Sequence, residues 1–209
     1  MRDLTILHID ERIVAIDKPA GLLVHRSRES ADRTFVLQTL RDQLGRRVYP
    51  VHRLDRPASG VMLFGLDPDS ARLLQGSWRD STKEYLVLVR GETARCFSSD
   101  RPLTSDNGVK QPAFTAFERF ATRRGFSLLK ARIETGRRHQ IRRHLAHLQH
   151  QVVGDTQHGK GRINRWLREE YGLPRLFLHA WRLDVAGLRL RAPLPADLGG
   201  FLRRFWRHA

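Results

Sequence analysis

Short apolar runs recur along this chain, and turn-forming residues separate them. Leu4–His8 and Arg12–Asp17 flank an Asp-Glu turn, Val61–Gly65 follows a Pro-Ala-Ser-Gly turn, and Lys83–Arg90 alternates and is rich in β-branched residues. Ala113–Phe120 and Phe126–Ile133 surround Arg123-Arg124-Gly125, and Leu176–His179, Trp181–Val185 and Leu188–Arg191 come late. These patterns predict strands. Lys18-Pro19-Ala20-Gly21 reads as a turn, with Leu22–His25 resuming an apolar run. Helical spacing appears in four places. Thr34–Leu44 carries Phe35, Val36, Leu40 and Leu44 before Gly45. Asp69–Asp80 has Asp69 or Ser70 as its cap and Leu73, Leu74 and Trp78 inward. Arg138–His150 places Ile141, Leu145 and Leu148 on one side, and Leu198–Trp206 closes the chain. No strand–helix–strand rhythm repeats, so the expected fold class is α+β with a mostly antiparallel sheet.

The densest chemistry lies in Val51–Leu63, VHRLDRPASGVML. Asp55 sits between Arg53 and Arg56, where nearby positive charge favours the carboxylate form. An ionised carboxylate on a turn suits a nucleophile or a base rather than an acid. The setting is strongly basic: Lys and Arg total 38 against 22 Asp and Glu, a formal charge of +16. Such a field draws polyanions, with nucleic acid foremost. Most of the excess is arginine, which forks onto phosphates and stacks on bases.

A second cluster is Thr135-Gly136-Arg137-Arg138-His139-Gln140-Ile141-Arg142-Arg143-His144. It follows a predicted strand and opens a predicted helix, whose free N–H groups could meet phosphate. On that helix Arg138 and Arg142 would share one face, as would His139 and Arg143. In the third cluster, Val152–Gly159, Asp155 reads as a turn cap. Tyr85 opens a strand and presents a face on which a flat ring can stack. His139, His144, His147, His150 and His158 invite a metal reading, but neighbouring arginines oppose a divalent ion. No H-E-x-x-H pattern, acidic ligand set or glycine-rich phosphate loop occurs. The single cysteine, Cys96, excludes an internal disulfide. The N-terminus has no signal-peptide apolar region and no run approaches ~18 apolar residues, so a cytoplasmic, non-membrane protein is expected.

Six segments together resemble the RluA-type pseudouridine synthases: Lys18–His25, His52–Gly60, Lys83–Gly91, Thr135–Leu145, Val152–Gly159 and Leu178–Ala180. They fall in the family's order across nearly the whole chain. The resemblance implies a long mixed, mostly antiparallel sheet with flanking helices and a central cleft. It also implies one catalytic domain over residues 1–209, without the S4-like RNA-binding module of many relatives. Further details resemble a tRNA-modifying subgroup that acts on uridine 65 in the T stem. These are His25-Arg26-Ser27, Arg41–Gly45, the HRLDRP form, the HLAHLQH run, GDTQHG with His158 where many relatives have an aromatic, and Asn164-Arg165 followed by Tyr171-Gly172-Leu173. One departure is Ala58, where the family commonly has Thr.

By resemblance, Asp55 is the catalytic aspartate in a reaction that detaches uracil, rotates it and rejoins it through carbon. Attack at ribose C1′, addition at uracil C6 and assistance to deprotonation all remain open to it. Arg142 matches the arginine that pairs with that aspartate, Tyr85 the tyrosine that stacks on the target uracil, and Leu178 the apolar residue lining the pocket. Arg53 is expected to fill the gap left by a flipped nucleotide. Arg137, Arg138 and Arg143 are candidates for phosphate contacts. The family requires no cofactor or metal. The expected partner is RNA, tRNA first and ribosomal RNA as the alternative, bound by a monomer. The rival from another class is a non-catalytic RNA-binding protein on the same fold.

Overall fold

The computed structural model describes residues 3–25 and 34–207. Arg26 and Ser27 of the subgroup motif lie outside them. The strands are β1 (Thr5–Ile9), β2 (Ile13–Lys18), β3 (Tyr49–Pro50), β4 (Ser59–Gly65), β5 (Thr82–Arg90), β6 (Cys96–Ser99), β7 (Leu103–Thr104), β8 (Lys110–Gln111), β9 (Thr115–Arg123), β10 (Phe126–Ile133), β11 (Leu178–Val185) and β12 (Leu188–Arg191). The helices are α1 (Val36–Leu44), α2 (Pro68–Gly76), α3 (Gln140–His147), α4 (Gly161–Tyr171) and α5 (Ala196–Arg207). The fold class is α+β, as the sequence predicts.

The chain divides into two compact units. The first joins Met1–Thr82 to Ala180–Pro193, and the second joins Lys83–His179 to Leu194–Ala209. In the first, the strand order is β1-β2-β4-β11, with β3 on β4 and β12 on β11. The β1–β2, β2–β4, β3–β4 and β11–β12 pairings are antiparallel. Strand β4 is buried at all seven positions. Its Val61 and Leu63 pack with Ile13 and Ala15 of β2, Leu74 of α2 and Leu183 and Val185 of β11. Asp67, not Asp69 or Ser70, caps α2: its carboxylate accepts from the Ser70 N–H at 2.7 Å. Leu74 takes the core-facing position, and Leu73, expected inward but about 100° further round the helix, is 56% exposed.

In the second unit, β5-β10-β9-β6 form an antiparallel array. One face of β5 contributes Leu88 to an aromatic core with Phe126, Phe177, Leu167 of α4, and Phe201 and Phe205 of α5. Tyr85 is three residues from Leu88, and side chains alternate along a strand, so Tyr85 points to the opposite face. Helix α4 has no counterpart among the predicted elements. Five of its eleven residues are charged, which masks the apolar Ile163, Leu167 and Tyr171 at spacings of four. Helix α3 starts at Gln140, two residues later than predicted, because His139 takes a left-handed conformation (φ 52°) and ends the preceding turn.

Candidate active site

The Asp55 turn is built around a buried cation. Lys18 is fully buried at the end of β2, and its ammonium donates to the carbonyls of Ala58 and Pro19 at 2.9 Å each. Longer contacts reach the carbonyls of Arg56 (3.4 Å) and Asp55 (3.5 Å). A buried ammonium needs acceptors on its protons, and the turn supplies the carbonyls of Asp55 itself and of Arg56 and Ala58 that follow it. The turn closes on itself as the Ala58 N–H donates to the Asp55 carbonyl at 3.1 Å. Gly21 clamps it from outside: its N–H donates to the Arg56 carbonyl at 2.8 Å, and Arg56 Nε donates back to the Gly21 carbonyl at 3.1 Å. The lysine-proline and aspartate segments, over 30 residues apart in sequence, are thus one construction.

The flanks are equally fixed. His52 Nε2 accepts from the Leu63 N–H at 3.1 Å, so the neutral ring carries its proton on Nδ1, and the ring stacks on Trp78 at 4.4 Å. Gly60 has φ 117°, and a Cβ there would lie 2.1 Å from the Ala180 carbonyl oxygen. Only glycine allows β4 to leave the turn at that point. Asp55 itself is half-buried, Arg53 and Arg56 are exposed, and Ala58 is buried.

In the second unit, Arg142 of α3 is 3% exposed and forms a two-pronged pair with Asp155. Its Nε donates to Oδ2 at 2.7 Å and Nη2 to Oδ1 at 2.8 Å, with a further Nη2 contact to Gln157 Oε1 at 3.2 Å. Asp155 also accepts from the N–H groups of Gln157 (2.9 Å) and His158 (3.0 Å), the cap that the sequence predicts. Burial pushes the Asp155 pKa up, but the Arg142 hydrogen bonds, the two N–H donors and the Arg142 charge outweigh it and hold the pKa below 3.8. Sequence reading missed this carboxylate–guanidinium pair. Asn164 of α4 secures the loop by accepting from the Gly154 N–H and donating to the Asp155 carbonyl, both at 2.9 Å. Gly154 and Gly159 admit no Cβ, which would lie 2.2 Å and 2.1 Å from backbone oxygens.

Gln140 is a second buried lock. Its amide donates to the Phe114 carbonyl (2.8 Å) and Thr115 Oγ1 (3.1 Å), while its carbonyl accepts from the Arg137 N–H (3.0 Å) and Thr135 Oγ1 (2.6 Å). The candidate phosphate contacts are placed separately. Arg138 lies before the helix, so it does not share a helical face with Arg142; it is exposed and pairs with Asp106 at 2.5 Å. Likewise His139, as the residue before α3, does not share a helical face with Arg143. Arg137 Nε donates to the Pro112 carbonyl at 3.0 Å, and Arg143 Nη1 donates to the Thr104 carbonyl at 2.9 Å. Tyr85 is half-buried opposite Ala131 of β10, and Leu178, at the start of β11, is 5% exposed. Among the described residues no three His, Cys, Asp or Glu side chains gather as a metal site.

This fold is that of pseudouridine synthases. The structure of human RNA Pseudouridylate Synthase Domain Containing 4 superposes with a TM-score of 0.82 at 24% identity, covering 97% of this chain and 93% of that one. The RNA pseudouridylate synthase family profile matches residues 12–147, and the chain belongs to that family. It is 42% identical to tRNA pseudouridine synthase C of Haemophilus ducreyi, an alignment covering 85% of this chain and 83% of the relative. It is also 42% identical to the Vibrio cholerae protein of that name, covering 94% and 91%. Within the RluA-type family the chain is therefore most like the TruC subgroup, an enzyme class that isomerises uridine.

Proposed function

We propose that this protein converts uridine to pseudouridine in tRNA, at uridine 65 of the T stem, with Asp55 as the catalytic residue. The observation that carries the reading is the fixed Asp55 turn, cross-braced by buried Lys18, in a chain about 40% identical over most of its length to proteins named tRNA pseudouridine synthase C. In the reaction the C1′–N1 bond breaks, a C1′–C5 bond forms, the C5 hydrogen leaves to solvent and N1 gains a proton. A half-buried carboxylate on a rigid turn suits the nucleophilic or proton-accepting part of that sequence. Tyr85 supplies a ring face for the flipped uracil, Leu178 an apolar wall and Arg142 the positive partner of the catalytic carboxylate. Exposed Arg53 takes the space the flipped nucleotide vacates. Arg137, Arg138 and Arg143 meet phosphates, Arg138 by exchanging its Asp106 partner for the RNA. The protein works as a monomeric, cytoplasmic, single catalytic domain without cofactor. No helix among the described residues is long and apolar enough to cross a membrane.

The test is tritium release from uridine C5 in labelled bulk tRNA and ribosomal RNA, with wild type beside Asp55→Asn. Release from tRNA that vanishes in the variant, with RNA binding retained, is expected. Release from ribosomal RNA alone overturns the tRNA reading, and turnover by a clean Asp55→Asn preparation removes Asp55 from the chemistry.

A further inference from the structure

We propose that a pocket in the first unit, remote from the Asp55 turn, holds one flanking nucleotide of the RNA substrate. The inference rests on the family's action on RNA. The pocket, about 350 Å³, is of a size that takes a single small ligand. Phe35 and Val48, each 8% exposed, give it an apolar floor, and half-buried Tyr49 lies beside them. His25, Arg41 and Arg47 stand exposed at its rim, and among the described residues no carboxylate lines it. Arg41 shares its charge with Asp42 at 2.7 Å, so Arg47 is the stronger anion contact.

The walls are fixed before any ligand arrives. The Val36 and Leu37 N–H groups donate to the Leu23 and Val24 carbonyls at 2.8 Å and 3.1 Å, tying the segment that carries His25 to the start of α1. Tyr49 is held in β3, paired with Gly65 of β4. An aromatic and apolar surface beside a guanidinium is the combination that takes the face of a base and its phosphate together. Gly65 is five residues along β4 from Gly60, where the Asp55 turn ends, or ~17 Å at the usual strand rise. The nucleotide held there is accordingly not the one isomerised, and the pocket contributes to selecting and orienting the RNA.

The experiment compares Arg47→Gln, Tyr49→Ala and Tyr49→Phe with Arg72→Gln, an exposed arginine on α2 outside the pocket. kcat and KM for tritium release from C5-labelled bulk tRNA are read with its Kd by anisotropy across a salt series. Arg47→Gln and Tyr49→Ala should raise KM and Kd about fivefold or more with kcat nearly unchanged. Tyr49→Phe, which keeps the ring, should bind like wild type. Arg47→Gln should also reduce the salt slope by about one. An Arg47→Gln effect no larger than that of Arg72→Gln would mean a diffuse field rather than a subsite, and a fall in kcat at constant KM would equally overturn the proposal. Thermal melts show whether Tyr49→Ala is folded; exposed Arg47 decides the matter if it is not. Wild-type release from ribosomal RNA alone refutes the tRNA reading, and the same comparison on that RNA then judges the pocket.

Discussion

The smallest parts carry the sharpest constraints. Lys18 ends a buried strand and looks out of place in IVAIDK until its acceptors are counted. Removing the ammonium in Lys18→Met takes its donor from the buried Ala58 carbonyl, at about 1–3 kcal/mol. It should also lower kcat for tritium release, because the turn that presents Asp55 loses its brace. Urea unfolding and turnover measure the two effects separately, and an unchanged kcat would show that the clamp through Gly21 alone positions the carboxylate. Asp155→Asn is the matching experiment in the second unit. It removes the buried negative charge that Asp155 sets against Arg142, so a loss of about 3–5 kcal/mol is expected. Unfolding midpoints equal to wild type would mean that other acceptors compensate.

At the scale of elements, α3 is held by polar contacts as much as by its apolar face. His144 is fully buried, with Nε2 at 2.9 Å from the Arg101 carbonyl and Nδ1 at 2.9 Å from Thr115 Oγ1. A carbonyl only accepts, so Nε2 carries the proton, and Nδ1 accepts from the threonine hydroxyl, which itself accepts from Gln140. The network specifies a neutral ring. Burial lowers the His144 pKa below 6.5 despite the raising effect of the Arg101 carbonyl, and the charges of His147 and Arg143 add to the lowering. Because the folded state binds this proton less readily than the unfolded chain, its stability contribution is complete above pH 6.5 and is lost as pH falls toward the lowered pKa. His147 acts in the same direction, its pKa lowered by burial and by the Arg101 charge. Stability should fall with acidification from pH 6.5, and His144→Asn should flatten that slope in part. Chemical unfolding across this range checks it; a slope unchanged in the variant would place the proton uptake elsewhere.

For the whole molecule, the governing quantity is the charge of +16. RNA affinity should fall steeply and linearly on a log–log plot against salt, by about tenfold or more between 50 and 200 mM. Anisotropy titrations with tRNA measure the slope, and a flat dependence would argue against phosphate-dominated binding. The chain also returns on itself: each unit combines two separate stretches of sequence, and β11 passes from one to the other. Composition gives no boundary for such an arrangement, which depends on contacts between distant segments.

The sequence alone determined the α+β class, most strand positions, the basic field and the Asp55 motif, since each is written in local patterns of period, charge and turn chemistry. It also marked glycines 60, 154 and 159 within motifs, though not the backbone oxygens that forbid a side chain there. Helix α4 escaped because its apolar positions are few among charges, and the start of α3 moved because a left-handed His139 cannot be read from residue type. The tertiary structure alone decided that Lys18 braces the Asp55 turn and that Asp155 holds Arg142. A buried charge selects its partner by proximity in space, and the fold brings together groups that the chain keeps 13 to 40 residues apart.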